Sequence, residues 1–301
     1  MRARYLLGVT AALLCPQSFA EPADSPGISS YILWYRSYDN PAILSLIQLA
    51  LEKTPEYGDF KLIRSQELSQ GRVLRELANP ESRLVDIANV ATSPERERFL
   101  TPIPIPVDGG LLGFRVCLVL PENLTKFDDI QSLEDLHTRN LRIGQGAHWP
   151  DTPILESNGV NVVTHSRYEI LFAMLRNQRF DCFARGISEV MFEMGRAETK
   201  GLVVEPTLLF AYAMPSYLFV GPDDLETAQR LQLGLERAIV DGTFASYLKR
   251  SFGDSVAELK LDSRTVITLD NPHLTEDSEH VARNILDNLK RRIEFLTKEE
   301  D

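Results

Sequence analysis

The sequence contains few of the residues that hold metal ions. It has three cysteines and five histidines in 301 residues. None of them lies at a spacing typical of a zinc site. We therefore expect neither a metal centre nor any other cofactor.

Basic residues are scarce relative to acidic ones. Lysine and arginine together number 32, against 43 aspartates and glutamates, which gives a formal net charge of −11. This excess of negative charge argues against nucleic acid as a partner. It leaves room for a small anionic ligand, because the charge within one pocket can oppose the net charge.

The sequence also lacks an apolar run long enough to span a membrane. A short run at 5–14 follows two arginines and matches the charged and apolar regions of a secretory signal. Small residues before Glu21 predict cleavage there, so 1–20 would be absent from the mature protein. Cys15 offers a lipoprotein alternative, which the large side chain of Leu14 disfavours. We predict export to the periplasm without a lipid.

Two cysteines, Cys117 and Cys182, remain in the exported chain. Both lie in apolar, strand-like runs. The favoured interpretation is that each is a small buried hydrophobic residue. A disulfide between them is the alternative in an oxidising compartment.

The N-terminal third alternates strand and helix patterns. Residues 31–38 are aromatic and β-prone, and they predict a strand whose C-terminal end opens on a cleft. Tyr35, Arg36 and Tyr38 would line that cleft, with core packing as the alternative for the tyrosines. A helix pattern and a second strand, 60–63, follow. This alternation indicates an α/β fold with mostly parallel sheets.

The stretch 83–115 contains the main candidate for an anion site. An apolar strand at 84–90 runs into Thr92 and Ser93, and the next residue is a proline that suits the first turn of a helix capped by Ser93. Free backbone N–H groups at such a helix start attract negative charge. Arg96 can bind a carboxylate with two parallel hydrogen bonds. A capped surface helix with solvated charges is the alternative.

Together with Asp86, this turn resembles the solute-binding protein family 3. Its members are two-lobed periplasmic proteins, mostly amino-acid receptors of ABC transporters. A second stretch, 241–253, is similar to the closing helix of that family. The resemblance covers about 30–253. It implies that Arg96 grips a ligand carboxylate, with Ser93 beside it.

The resemblance implies a type II periplasmic binding fold, in which two mostly parallel sheets are joined by a two-strand hinge. Lobe 1 is expected at 28–112 and 208–253, and lobe 2 at 113–207. The C-terminal extension, 254–301, has apolar residues at every third or fourth position. This spacing predicts a helix that packs on the body of the protein.

In the predicted lobe 2, a strand and glycine-rich turn match the ligand-facing turn of the family, but with bulkier residues. His148 and Trp149 are expected to stack on a ligand ring or to close over the ligand. Asp151 or the threonine after it is predicted to cap the next helix. Arg115 is expected to reach the cleft, with a solvated strand position as the alternative.

The family has a strand ending in an acid that pairs with the ligand amino group, and this position aligns with Gly186. Arg185 precedes it, and Glu189 follows three residues later. Either Glu189 takes over the amine, or the ligand is not a standard amino acid. Arg96 and Arg185 facing one cleft would suit a dicarboxylate. An exposed helix face is the alternative for Glu189 and Glu193.

The sequence thus predicts a monomeric periplasmic protein that closes on a small anionic solute bearing a carboxylate, either amino-acid-like or a dicarboxylate. Delivery to the permease of an ABC transporter is one use of such a protein. A dehydratase resembling cyclohexadienyl dehydratase and a soluble partner of a membrane sensor are the alternatives. For the enzyme, Glu189 and His148 are the only proton carriers expected near the cleft. We predict binding rather than catalysis.

Overall fold

A computed structural model describes residues 28–298. The predicted signal peptide, 1–20, and its cleavage site before Glu21 lie outside these residues. Within the described part of the chain, no helix is long and apolar enough to cross a bilayer.

The first segment of the chain alternates strands and helices. Its elements are β1 (Ser29–Leu33), α1 (Tyr35–Tyr38), α2 (Pro41–Glu52), β2 (Phe60–Arg64), α3 (Gln70–Leu77), β3 (Ala88–Ala91), α4 (Pro94–Phe99) and β4 (Thr101–Ile103). β1 and β2 pair in parallel, and an isolated bridge from Leu33 to Ile87 links β1 to the approach to β3.

The middle segment supplies most of a seven-stranded sheet. Its elements are β5 (Phe114–Val119), α5 (Leu133–Thr138), β6 (Arg142–Gly146), α6 (Asp151–Ser157), β7 (Asn161–His165), α7 (Tyr168–Arg176), β8 (Cys182–Gly186), α8 (Val190–Met194), β9 (Val203–Val204) and β10 (Leu208–Ala211). The last segment contains β11 (Ser216–Val220), α9 (Leu225–Val240), α10 (Thr243–Glu258), β12 (Thr265–Thr268), α11 (Glu276–Asp287) and α12 (Leu289–Thr297).

The strands of residues 28–298 form three sheets, and the α/β class is confirmed. The large sheet has the order β12-β10-β5-β8-β6-β7, with β9 also paired to β5, and the third sheet has the order β3-β11-β4. Pairing is mixed, whereas the sequence predicted mostly parallel sheets. Every antiparallel pair among the described strands involves β5 or β11. The strand that precedes each of them in the chain, β4 or β10, belongs to a different sheet, so no crossover helix ties β5 or β11 in parallel to a preceding strand of its own sheet.

The interpretation of the cysteines as unpaired hydrophobic residues is wrong. Cys117 in β5 and Cys182 in β8 form a disulfide, with their Cα atoms 5.0 Å apart. Both residues are buried. The two strands are neighbours in the large sheet, and this places the thiols within bonding distance. The disulfide therefore links two central strands of the large sheet covalently.

The prediction of a single strand over 31–38 is also wrong. The strand ends at Leu33, and α1 begins two residues later. The backbone N–H of Trp34 donates to the Ile87 carbonyl, 2.9 Å away, and that of Tyr35 donates to the Ser65 hydroxyl, also at 2.9 Å. These tertiary contacts end the strand, so Arg36 lies on a short helix at the carboxyl edge of β1.

The C-terminal extension contacts both halves of the molecule. β12 adds to the edge of the large sheet beside β10. Beyond it, the hydroxyls of Thr275 and Ser278 donate to the Glu97 carboxylate, 2.6 and 2.7 Å away. Two helices, α11 and α12, occupy the region in which the apolar spacing predicted one. Leu296 of α12 is buried against the core of the body.

Candidate functional site

A cavity of about 120 Å³ lies where the two predicted lobes meet. Both parts of the chain contribute to its wall, from the end of β1 and the turn after β4 on one side to the starts of α6 and α8 on the other. The wall is unusually rich in charge. It contains four arginines and five acidic residues, namely Arg36, Arg115, Arg185, Arg196, Asp39, Asp108, Asp151, Glu189 and Glu193.

A second, outer chamber of about 350 Å³ adjoins this inner cavity. The two share five wall residues: Tyr35, Arg36, Gln70, Trp149 and Tyr168. The Tyr35 hydroxyl donates to the Glu169 carboxylate across the chambers, 3.3 Å away. Burial, reinforced by Glu169, raises the pKa of Tyr35 to about 12. This phenol therefore stays protonated at neutral pH and acts as a hydrogen-bond donor.

Arg36 stands between the two chambers. Its guanidinium lies 4.2 Å from the ring centre of Tyr168 and 5.3 Å from that of Trp34. Such stacking on aromatic faces holds the planar group while leaving its N–H edge available. Within the described residues, Arg36 makes no salt bridge and no side-chain hydrogen bond. It is therefore a positioned cation with free donors.

Arg96 is buried immediately behind the cavity wall. Its guanidinium donates to the Ala91 carbonyl, to Gln70 Oε1 at 3.0 Å and to the His148 carbonyl at 2.7 Å. Burial lowers the pKa of Arg96 to about 10, against the opposing effect of Asp151. No carboxylate of the described residues forms a salt bridge with it. Arg96 is thus a desolvated cation whose present partners are all neutral.

The predicted cap of α4 is confirmed. The Ser93 hydroxyl accepts a hydrogen bond from the Arg96 backbone N–H, 3.3 Å away, and Pro94 occupies the first helical position. The Thr92 hydroxyl donates to the Glu97 carboxylate. Neither Thr92 nor Ser93 lies in the wall of either chamber. Tyr38 is half-buried and packs against the core instead of lining the cavity.

The prediction that Asp151 or Thr152 caps α6 is wrong. The Asp151 carboxylate lies 2.7 Å from the Arg115 guanidinium and accepts a hydrogen bond from the Tyr212 hydroxyl at 2.6 Å. The Thr152 hydroxyl donates to the Gly146 carbonyl. Burial and then Asp151 raise the pKa of Tyr212 well above its usual value. Arg115 lines the cavity, but its charge is already balanced.

Arg185 is also compensated within the protein. It lies 2.9 Å from the Glu189 carboxylate and 2.6 Å from that of Glu193. Burial opposes its charge, yet the two glutamates raise the pKa of Arg185 well above its usual value. Glu193 is only 4% exposed and also accepts from the Tyr168 hydroxyl. The alternative of an exposed helix face therefore fails for Glu193.

Glu189 bridges two arginines. Its carboxylate lies 3.3 Å from Arg115 as well as 2.9 Å from Arg185. Burial would raise the pKa of Glu189, but Arg185 and Arg115 outweigh it and lower that pKa. Gly186 explains the packing, because a Cβ there would meet Arg115 Nη1 at 3.0 Å and Glu189 Oε2 at 3.1 Å. The absence of a side chain at 186 leaves the space that this ion pair occupies.

Trp149 and His148 lie on different sides of the same turn. The Trp149 ring stacks on Phe183, with centroids 6.1 Å apart and planes 10° apart, and lies under the Arg185 guanidinium at 4.7 Å. It borders both chambers, whereas the His148 side chain faces Gly71 in the outer one. Glu189 lines only the inner cavity. The two proton carriers expected from the sequence therefore do not share a chamber.

Asp108 is a cavity residue that the sequence analysis missed. It lies in the turn after β4, is 3% exposed, and accepts hydrogen bonds from the Gly110 N–H at 2.9 Å and the Ser188 hydroxyl at 2.8 Å. Its position between a proline-rich strand and two glycines was a sequence signal for a turn, not for a site. Among the described residues, no group of three side chains could hold a metal ion.

Comparison with known proteins shows the fold. No protein-family model and no curated protein matches the sequence. An amino acid ABC transporter substrate-binding protein from Streptococcus pneumoniae Canada MDR_19A, bound to L-arginine, superposes with a TM-score of 0.55 at 16% identity, covering 75% of this chain and 93% of that one. A histidine kinase sensor domain similar to periplasmic binding proteins gives 0.55 at 13% identity, covering 77% of this chain and 98% of that one.

A third structure is that of the ancestral amino acid-binding protein AncCDT-1, a precursor of cyclohexadienyl dehydratase. It superposes with a TM-score of 0.52 at 14% identity, covering 75% of this chain and 95% of that chain. At these identities the likeness is one of fold, and the same fold carries different functions. The chain therefore has the two-lobed α/β fold of amino-acid substrate-binding proteins, as its resemblance to solute-binding protein family 3 predicted.

Proposed function

We propose that the protein binds a small solute bearing a carboxylate in the inner cavity and closes its two lobes on it. One observation carries the proposal. Arg36 at the cavity wall and Arg96 just behind it are the two cations of the site that make no salt bridge within the described residues. The cavity arginines Arg115 and Arg185 are neutralised by acids of the protein.

The physical argument is that a buried charge without a counterion is costly. Arg96 is 7% exposed and is held by two carbonyls and one side-chain amide. A carboxylate that took the place of the Gln70 amide would form charge-assisted hydrogen bonds, which are stronger than the neutral bonds they replace. Arg36, which belongs to the same predicted lobe as Arg96, would approach the same anion with its free N–H edge.

Three contacts join groups from opposite predicted lobes and support closure. Arg96 donates to the His148 carbonyl, Tyr35 donates to Glu169, and Ser188 donates to Asp108. All three surround the cavity, so separating the lobes would open it to solvent. Hinge closure of this kind excludes water around a charged ligand and strengthens its contacts.

Binding is favoured over catalysis because His148 and Glu189 lie in different chambers and Glu189 is held by two arginines. Delivery of the bound solute to the permease of an ABC transporter is the proposed use, since an amino acid ABC transporter substrate-binding protein shares this fold. The signal-peptide pattern supports a periplasmic location. N-terminal sequencing of the exported protein should then begin at Glu21.

A thermal-shift screen of the chain from Glu21 tests the proposal. The panel contains the twenty proteinogenic L-amino acids, succinate and glutarate. A solute at ~100 times its dissociation constant adds about 2.7 kcal/mol of stability, or roughly 5–10 °C for a protein of this size. Arg36→Gln should reduce the rise in melting temperature caused by every solute that stabilises the wild type. Substitution of the exposed Arg75 by glutamine should not. If a solute that stabilises the wild type binds Arg36→Gln with equal affinity, the proposed role of Arg36 is contradicted.

A further inference from the structure

We infer that residues 269–275 form a strap that ties the two predicted lobes together beside the hinge and limits how far they can open. The strap is the segment between β12 and α11. The inference rests on the proposed function, because the movement that the strap limits is the lobe closure proposed above. It concerns the regulation of the site and not the identity of the solute.

The C-terminal part of the chain crosses between the predicted lobes twice more than a two-strand hinge requires. α10 packs against α2 and α9 of predicted lobe 1. The chain then passes to the large sheet, where β12 pairs with β10, and returns to predicted lobe 1, where α12 packs against α10. The strap makes the returning crossing. It runs beside the hinge, because the Asn271 side chain donates to the carbonyl of Ala213, between β10 and β11, at 2.6 Å.

One end of the strap is fixed to the large sheet and the helix beside it. The Leu269 N–H donates to the Ala211 carbonyl of β10, 2.9 Å away. The Asn158 side chain, which follows α6, donates to the Asp270 carbonyl at 2.8 Å and accepts from the Asp270 N–H at 3.1 Å. The backbone of Asp270 is therefore held in both directions and moves with this part of the molecule.

The other end of the strap is fixed to α4. The hydroxyls of Thr275 and Ser278 donate to the Glu97 carboxylate, at 2.6 and 2.7 Å, and the Thr92 hydroxyl donates to the same group. Hydrogen bonds to a carboxylate are stronger than those between neutral groups. Because Glu97 is the neighbour of Arg96 on α4, the strap ends on the helix that carries the proposed anion anchor.

The strap is short relative to the movement of two lobes. Thr275 lies five residues after Asp270. An extended chain spans at most ~3.3–3.6 Å per residue, so these two points stay within about 18 Å of each other while both ends are fixed. A wider opening must first break the bonds to Glu97 or the pairing at Asp270. By limiting opening, the strap raises the fraction of molecules that are competent to bind, and with it the affinity for every solute by the same factor.

Two variants loosen the strap by different means. Thr275→Val combined with Ser278→Ala removes both hydroxyl donors to Glu97. Insertion of three glycines after the exposed Pro272 keeps the bonds at both ends and adds about 10 Å of reach. Exposed loops tolerate such insertions, so this variant should fold even if the first one does not.

Two substitutions serve as matched controls. Thr275→Ser keeps the hydroxyl that donates to Glu97. Thr297→Val makes the same change of residue type in α12, where the hydroxyl donates to the Ile293 carbonyl of its own helix. Both should behave as the wild type.

Lobe separation is measured without any solute. Spin labels are attached to cysteines introduced by Gln48→Cys in α2 and Glu134→Cys in α5, two exposed positions in the two predicted lobes. Double electron–electron resonance then gives the distribution of distances between them. In both loosened variants the distribution should extend to longer distances than in the wild type.

Calorimetric titration gives the effect on binding. Both loosened variants should weaken every solute that binds the wild type by one common factor of about 3 or more, so that the ratios between solutes are unchanged. A distance distribution equal to that of the wild type in the glycine-insertion variant would overturn the inference. A change in the ratios between solutes in that variant would also overturn it, because a strap acts on opening alone. If the distances lengthen as expected but no solute of the panel binds, the proposed function fails and the strap stands.

Discussion

Replacing Arg96 with alanine tests whether this residue anchors the ligand or is only a buried structural arginine. The guanidinium is 7% exposed, so a carboxylate bound to it would be a desolvated ion pair. Removing one partner of such a pair typically costs ~2–5 kcal/mol. Since each ~1.4 kcal/mol is tenfold in affinity, the dissociation constant should rise by roughly 30-fold to a few thousandfold. Arg96→Lys should recover only part of the loss, because an ammonium cannot form two parallel hydrogen bonds.

The same substitution also affects the unliganded protein. It removes hydrogen bonds to the Ala91 and His148 carbonyls and to Gln70. A typical hydrogen bond contributes about 0.5–1.5 kcal/mol net, so the loss of three should lower the free energy of unfolding by roughly 1.5–4.5 kcal/mol. Affinity must therefore be measured well below the unfolding transition, by titration followed through tryptophan fluorescence.

A closure defect and a lost anchor make different predictions. Loss of the contact to the His148 carbonyl alone would weaken a solute and its carboxamide equally, whereas loss of the anchor weakens only the acid. Arg98→Ala is the matched control: Arg98 is exposed on the same helix and stacks on Phe99, 4.6 Å from the ring centre. Folded Arg96→Ala that binds the acid within about threefold of the wild type refutes the anchor.

Three further predictions concern other parts of the molecule. Trp149 borders both chambers, so Trp149→Phe should abolish most of the fluorescence change on binding; an unaltered signal would assign it to the other tryptophan. The Cys117–Cys182 disulfide has a sequence separation of 65, so the double alanine variant should lose about 4 kcal/mol in urea unfolding, and two reactive thiols per wild-type chain would contradict this. The pKa of Asp108 is raised in the folded protein, so its contribution to stability is complete below the unfolded pKa of ~4 and is lost as pH rises through the folded pKa. The stability of Asp108→Asn relative to wild type should therefore increase from pH 3 to pH 7. A difference in unfolding free energy that stays constant over this range would argue against the raised pKa.

Local sequence signals predicted the start of α4 well. The serine and proline before Arg96 specify a helix start through their own side chains, and α4 begins there with the Ser93 cap. The cap of α2 by Asn40 follows the same rule. By contrast, the aromatic run after Leu33 favours a strand, and only contacts with the distant Ser65 and Ile87 end it. The β-propensity of this run is therefore overridden by hydrogen bonds to residues that are distant in the sequence.

The charge network of the cavity is the part that sequence could not supply. The Tyr212 hydroxyl binds Asp151 across 61 positions and Arg115 across 97. Such pairs follow from the sheet order, which brings β5, β8 and β10 side by side, and nothing in the local pattern of any one of them indicates a partner. The same reason explains the disulfide. The partners of Arg185 are different, because Glu189 and Glu193 lie only four and eight residues along the chain. As a result, the sequence predicted that Arg36, Arg115 and Arg185 reach the cleft, as they do in the cavity wall, but not which of their charges remain free.

The recognition of a carboxylate by unpaired arginines is tested most directly by one calorimetric comparison. The wild-type chain from Glu21 is titrated with the tightest-binding acid of the panel and with the corresponding carboxamide, in the same buffer. Because a guanidinium pairs with the anion and not with the neutral amide, the acid should bind at least ~30-fold more tightly. Equal affinities would contradict the account, since Arg36 and Arg96 would then contribute no charge recognition.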